Sequence, residues 1–188
     1  MTYSFKIANA FIVLPFVLLL VFGSSFASSD DTKINLLLME LKTPLKRSHL
    51  EVEKEIWSQW SKSGNQNLDF LLGQGRLYMQ SGRFDDAIDV FSQIIKKDPQ
   101  FAEAWNARAT TFYMKGDFKN SISDIDQVLL LNADHFGALS GLGSMLEKLE
   151  HLDAALDAFK RAEEINPLNL NIKNSILRLQ KKIEGISL

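Results

Sequence analysis

The sequence predicts an all-α protein, a solenoid of three tandem helix-turn-helix repeats. Three observations carry this. Gly75, Ala109 and Gly143 stand 34 residues apart, and so do Tyr78, Phe112 and Leu146. Ala87, Ser121 and Ala155 keep the same interval, as do Phe91, Ile125 and Phe159, so small and large columns recur in phase. A period near 34 marks a repeated helical pair. Finally, the 188 residues contain no cysteine, which excludes disulfides and thiolate metal sites and leaves helix packing to hold the fold.

Charge narrows the partners. The formal net charge is -2, and Lys6 is the only charge before Ser28, so a chain starting at Ser28 has 20 basic against 23 acidic residues. That balance offers no electrostatic footprint for nucleic acid.

Residues 1–27 read as a secretory signal peptide. Lys6 supplies the positive start, residues 7–22 are apolar apart from Asn9, and Gly23 to Ala27 supply small residues with Ser25 and Ala27 in an A-x-A-like arrangement. The apolar run is shorter than the roughly 20 residues of a spanning helix and contains Pro15, so cleavage before Ser28 is preferred to a permanent N-terminal membrane anchor. After cleavage no integral membrane span is expected. The protein is then periplasmic or secreted.

Residues 28–67 read as a polar leader and a degenerate helical half-repeat. Asp31 or Thr32 caps a short helix through Leu36, Leu37, Leu38 and Leu41, which Pro44 ends because proline lacks the backbone donor. Ser48 and Glu51 fit a capping box for a second helix. Val52, Ile56 and Trp60 share its apolar face with Trp57 beside them, and Ser63-Gly64-Asn65 stops it. The 34-residue register extends back across this segment, which is therefore expected to cover the first full repeat as a terminal cap. Trp57 and Trp60 are read as packing residues in preference to a ligand-stacking pair.

The repeats occupy 68–101, 102–135 and 136–169, each with two helices and a short turn. Gly82 and Gly116 lie where a helix ends in a left-handed residue; the third repeat has Glu150 there. Gly75, Ala109 and Gly143 leave room for close crossing with the partner helix, and the large columns fill the space between. Residues 170–188 continue as an amphipathic helix that closes the array, with Ile172, Ile176, Leu179 and Ile183 on one face and Lys173, Arg178, Lys181 and Lys182 on another.

Leu71, Gly75, Tyr78, Ala87, Phe91 and Pro99 carry a resemblance, as do Trp105, Ala109, Phe112, Ser121 and Ile125, and Leu139, Gly143, Ala155, Phe159, Ala162 and Pro167. Together these residues resemble the tetratricopeptide repeat family, and with the signal peptide the chain resembles small exported bacterial members. The departures are Ser121 for alanine, Ala133 for proline and Glu150 for the turn glycine. The resemblance implies a concave groove, lined by the first helix of each repeat, that takes a peptide or helix. By register, Arg76, Asn106, Tyr113, Met114 and Lys148 are its candidate partner contacts. Tetratricopeptide domains that clamp a chaperone C-terminus use lysines, asparagines and an arginine; the matching places hold Leu72, Arg76, Ala107, Gly137 and Gly141, so that function is rejected.

No catalytic constellation, metal site or cofactor motif emerges. His49, His135 and His151 lie in separate elements without a partner at ligand spacing. Asp85-Asp86 and Glu163-Glu164 are sequence neighbours, which diverge on a helix. The expectation is a non-catalytic adaptor or scaffold of the bacterial cell envelope, binding an unidentified protein or peptide. The alternative is a binding module for a cell-wall fragment or another small envelope ligand. An exposed end of so short an array is also open to weak self-association.

Overall fold

The computed structural model describes residues 29–186; the signal peptide expected at 1–27 lies outside them. Among the described residues there are nine helices. They are α1 (Ser29–Lys42), α2 (His49–Trp60), α3 (Gln66–Gln80), α4 (Phe84–Lys97), α5 (Ala102–Lys115), α6 (Phe118–Leu131), α7 (Phe136–Lys148), α8 (Leu152–Ile165) and α9 (Leu170–Ile186). None of them is long and apolar enough to cross a membrane. Helices α3 to α8 pair as three hairpins stacked in sequence, and α9 packs on α8 to close the array.

The small and large columns act through one contact. A Cβ on Gly75 would lie 2.4 Å from the Phe91 ring, and one on Gly143 would lie 2.7 Å from the Phe159 ring. These glycines let a buried phenylalanine of the second helix lie against the backbone of the first. In the middle repeat the place of glycine is taken by Ala109, and Ile125 replaces the ring. There Ser121 donates its hydroxyl to the Ala109 carbonyl at 2.6 Å, which satisfies the polar group that serine brings to a column of alanines. Gly143→Leu is expected to overpack the third crossing and cost about 1–3 kcal/mol in chemical denaturation. An unchanged midpoint would contradict this packing.

The turns follow from backbone conformation. Gly82 and Gly116 adopt φ 72° and 85°, and Glu150 takes φ 60° at the equivalent place. The Glu150 carboxylate is paired with Lys182 of α9, at 2.9 Å. Between the first two repeats, Trp105 donates its indole N–H to the Pro99 carbonyl at 2.9 Å, tying the boundary column to the next helix. Arg108 grips Asp124 through two parallel bonds of 2.7 and 2.8 Å and also donates to Ser92, so it joins α5 to α6 and to α4.

Helix α1 begins at Ser29, so Asp31 and Thr32, expected to cap it, lie inside its first turn, whereas α2 forms with the expected signal. Ser48 and Glu51 close the capping box of α2. Their docking differs from the expectation: the hairpin leaves the outer face of α3 open. Leu37, Leu38, Leu41, Val52 and Ile56 instead share one buried cluster with Phe136 and Leu139 of α7, Phe159 of α8 and Ile172 of α9. The physical reason lies in the register. Glu53 occupies the column that Ala87 fills, so stacking on the first repeat would put a charge into a small-residue crossing. On the third repeat Glu53 accepts from Asn166 and Asn169 at 3.0 and 3.3 Å.

Arg47 braces this hairpin by donating to Glu40 and Glu55, and Lys33 also pairs with Glu55. The bond from Arg47 holds the Glu40 carboxyl below its ordinary 4.5. Glu55 is lowered by Lys33 first and then by Arg47. Depressed carboxylates contribute stability that is complete above the ordinary value and lost as pH falls through the lowered one. Acidification from about pH 7 to about pH 3 is therefore expected to loosen the hairpin and red-shift Trp57 and Trp60 emission. Constant emission would contradict the brace.

Candidate functional site

The inner face of the array is formed by α3, α5 and α7, and part of it is occupied by the chain itself. Helix α2 lies against the first turn of α7, and the residues that follow it meet α3. At its start, His49 donates to the Asn166 side-chain oxygen beyond α8. Midway, Trp57 rests in the notch left by Gly137, where a Cβ would lie 2.4 Å from the indole. Trp60 stacks on His135 with ring centroids 4.3 Å apart, and both indoles pack against Phe136. At its end, Arg76 donates to the Ser61 hydroxyl at 3.1 Å, and Ser63 donates to Asp69 of α3 at 2.7 Å. Both tryptophans are thus packing residues. A cavity of about 570 Å³ remains between the hairpin and the inter-repeat loops, lined by Ile34, Gln59, Trp60, Asp69, Phe101 and Asp134 among others.

Beneath α2 runs a buried polar chain that joins α3 and α5 to the cap of α7. Glu103 of α5, 3% exposed, accepts from Arg76 of α3, from the Asn106 amide at 3.2 Å and from His135 at 3.1 Å. His135 is wholly buried and caps α7 by accepting the Ala138 N–H at its Nδ1, which places the ring proton on Nε2, facing Glu103. The carboxylate thus has three donors and the histidine both its partners. No buried side-chain polar atom among the described residues lacks a hydrogen bond.

The open section of the groove is a cleft of about 210 Å³ between α5 and α7. Asn106, Thr110 and Tyr113 line it from α5, and Gly137, Gly141 and Ser144 from α7. Lys148 lies over the Tyr113 ring, 5.4 Å from its centroid, and Phe118 packs beside that ring at 5.7 Å. A second hollow of about 240 Å³, lined by Trp57, Ser140, Ser144 and Ser175, lies across α7 against α9.

Of the five contacts expected from register, Asn106 and Tyr113 line the cleft, and Lys148 lies over the Tyr113 ring at its edge. Met114 is exposed just beyond, outside the cleft lining. Arg76 is engaged internally by Glu103 and Ser61, so its guanidinium serves the fold. Sequence reasoning missed the part played by Gly137, Trp57 and His135. The available signal was the pairing of an aromatic-rich helix with a glycine outside the small-residue columns.

The Tetratricopeptide repeat family matches residues 72–130 and again 108–169, over half the chain in all. The chain is a tetratricopeptide repeat protein. A TPR repeat-containing protein of Rhizobium etli is 30% identical over 162 residues, covering 85% of this chain and 78% of that protein. The DnaJ homolog subfamily C member 3 of Homo sapiens is 30% identical over 120 residues, 64% of this chain and only 24% of that protein. Among solved structures, the first TPR of Spaghetti (RPAP3), bound to the HSP90 peptide SRMEEVD, superposes with a TM-score of 0.61. It is 24% identical and covers 63% of this repeat protein and 94% of that chain, a likeness that shows the shared fold. The described residues contain no group of three or more His, Cys, Asp or Glu side chains placed to hold a metal ion.

Proposed function

We propose that this repeat protein is a non-catalytic adaptor that holds a peptide or helix of a partner protein in the groove section between α5 and α7. The observation that carries the reading is α2, an amphipathic helix of the chain itself lying on the inner face with Trp57 seated on Gly137. A groove that takes this helix has the shape and the apolar footing for another. The peptide-bound Spaghetti domain supports the same use of the fold. Its acidic peptide is the wrong chemistry here, because Leu72 and Ala107 are buried apolar residues and Gly137 lies under Trp57. The cleft instead offers the hydroxyl oxygens of Thr110 and Ser144, whose hydrogens go to the Asn106 and Ser140 carbonyls, as acceptors for a backbone N–H, and the Tyr113 ring for an apolar side chain. Export by residues 1–27 into a bacterial envelope belongs to the proposal and rests on the order of charge, apolar run and small residues.

A photo-crosslinking residue at Tyr113 in the producing cell tests the reading, with the exposed Lys119 as control. One protein trapped from Tyr113 alone is expected. Equal trapping from both positions, or none from Tyr113, would overturn the adaptor reading. Intact mass of the exported protein tests cleavage before Ser28.

A further inference from the structure

The outer face of α3 has the position and composition of an interface. Phe70 and Leu77 are 73% and 64% exposed. One period later their places are taken by Ala104 and Thr111, and two periods later by Ala138 and Met145, all buried where α5 and α7 meet the preceding repeat. In the first repeat these positions hold larger apolar residues and nothing described precedes them, because the N-terminal hairpin is committed to α7, α8 and α9. Exposing two large apolar side chains one above the other on a helix is costly unless another surface covers them.

We infer that a second copy of this chain covers this face, through antiparallel contact of α3 with α3. The stripe is self-complementary about a point between Gly73 and Gln74. Under a two-fold axis there, Phe70 meets Leu77 of the other copy, Gly73 meets Gln74, and Gln66 meets Ser81, so every pair is apolar on apolar or neutral on neutral. The stripe contains no charged residue, so two identical surfaces approach without like-charge repulsion. Gly73 has nothing within 4 Å of where its Cβ would be, which lets the helices come close at the axis. A single helix pair buries less than the roughly 1,600 Å² of a standard interface, so the dimer is weak and concentration-dependent. The cleft between α5 and α7 lies on another face and stays accessible in the dimer.

Sedimentation velocity of the purified chain over a concentration series tests this. An average mass that climbs toward that of two copies is expected; a mass that stays at one copy throughout overturns the inference. Phe70→Lys and Leu77→Glu are each expected to weaken association by about tenfold or more. Both positions are exposed, so both variants fold. Mixing the two is expected to restore association, because the introduced lysine of one copy then faces the introduced glutamate of the other. Association that survives both substitutions, or a mixture no tighter than either variant, overturns antiparallel pairing. Gly73→Cys supplies a covalent readout in a chain without cysteine. Oxidation is expected to link copies at Gly73 faster than in a Lys119→Cys control, and equal linkage counts against the two-fold.

Discussion

Glu103→Ala is expected to destabilise the folded chain by about 3 kcal/mol, a fall of roughly 10 °C in midpoint for a domain of this size. The carboxylate accepts from Arg76 of α3, Asn106 of its own helix and His135 at the cap of α7. Its loss leaves the buried His135 N–H without a partner and the Asn106 amide without its acceptor. Arg76 is 33% exposed on its side chain and recovers water, so the cost falls mainly on the wholly buried groups. Glu103→Gln keeps the volume and one acceptor oxygen, and about half the loss is expected. Equal midpoints for both variants and the parent would show that the polar chain contributes nothing to the array.

Gly137→Leu is expected to have a large but local effect. The new side chain meets the Trp57 indole where even a Cβ has no room. Backbone on one side and a rigid ring on the other leave the hairpin as the element that moves. A cost of about 1–3 kcal/mol is expected, read as a rise in hydrogen exchange across α1 and α2 while α3 to α8 keep their protection. Trp57→Ala alone creates a hole over Gly137 and is expected to cost about 2 kcal/mol, below the range for a fully buried tryptophan because Trp57 is half-buried. Combining the two substitutions places an aliphatic side chain in the vacated space. The double variant is therefore expected to lose less than the sum of the single losses. Strict additivity would mean that residues 57 and 137 do not touch.

The repeat architecture was legible because it rests on local rules repeated in phase. Helices α3 to α8 form three pairs with Gly82, Gly116 and Glu150 left-handed at their turns, since caps, turn residues and periodicity act over a few residues. The Gly75 and Gly143 columns could be read as close-crossing sites, although the reason that Phe91 and Phe159 need them is visible only in three dimensions. The path of α2 was not legible. Its capping box and apolar face specify a helix but not which surface accepts it. The periodic register pointed to stacking on α3, whereas Gly137, Phe136 and the paired asparagines Asn166 and Asn169 supply the better match more than 70 residues away. The Arg76–Glu103–His135 chain was hidden for the same reason: its members lie in α3, in α5 and at the cap of α7, and have no fixed spacing that chemistry requires. Asn106 and Tyr113 line the cleft, with Lys148 over the Tyr113 ring, because all three sit on the inward stripe of first helices, where register alone assigns the face.

The account turns on α2 lying across the inner face of the repeats. Nuclear Overhauser contacts from the Trp57 indole protons test it most directly. Contacts to the Gly137 α-protons and the Phe136 ring are expected. Contacts to Phe70 and Leu77 instead, as in a hairpin stacked on the first repeat, would contradict it.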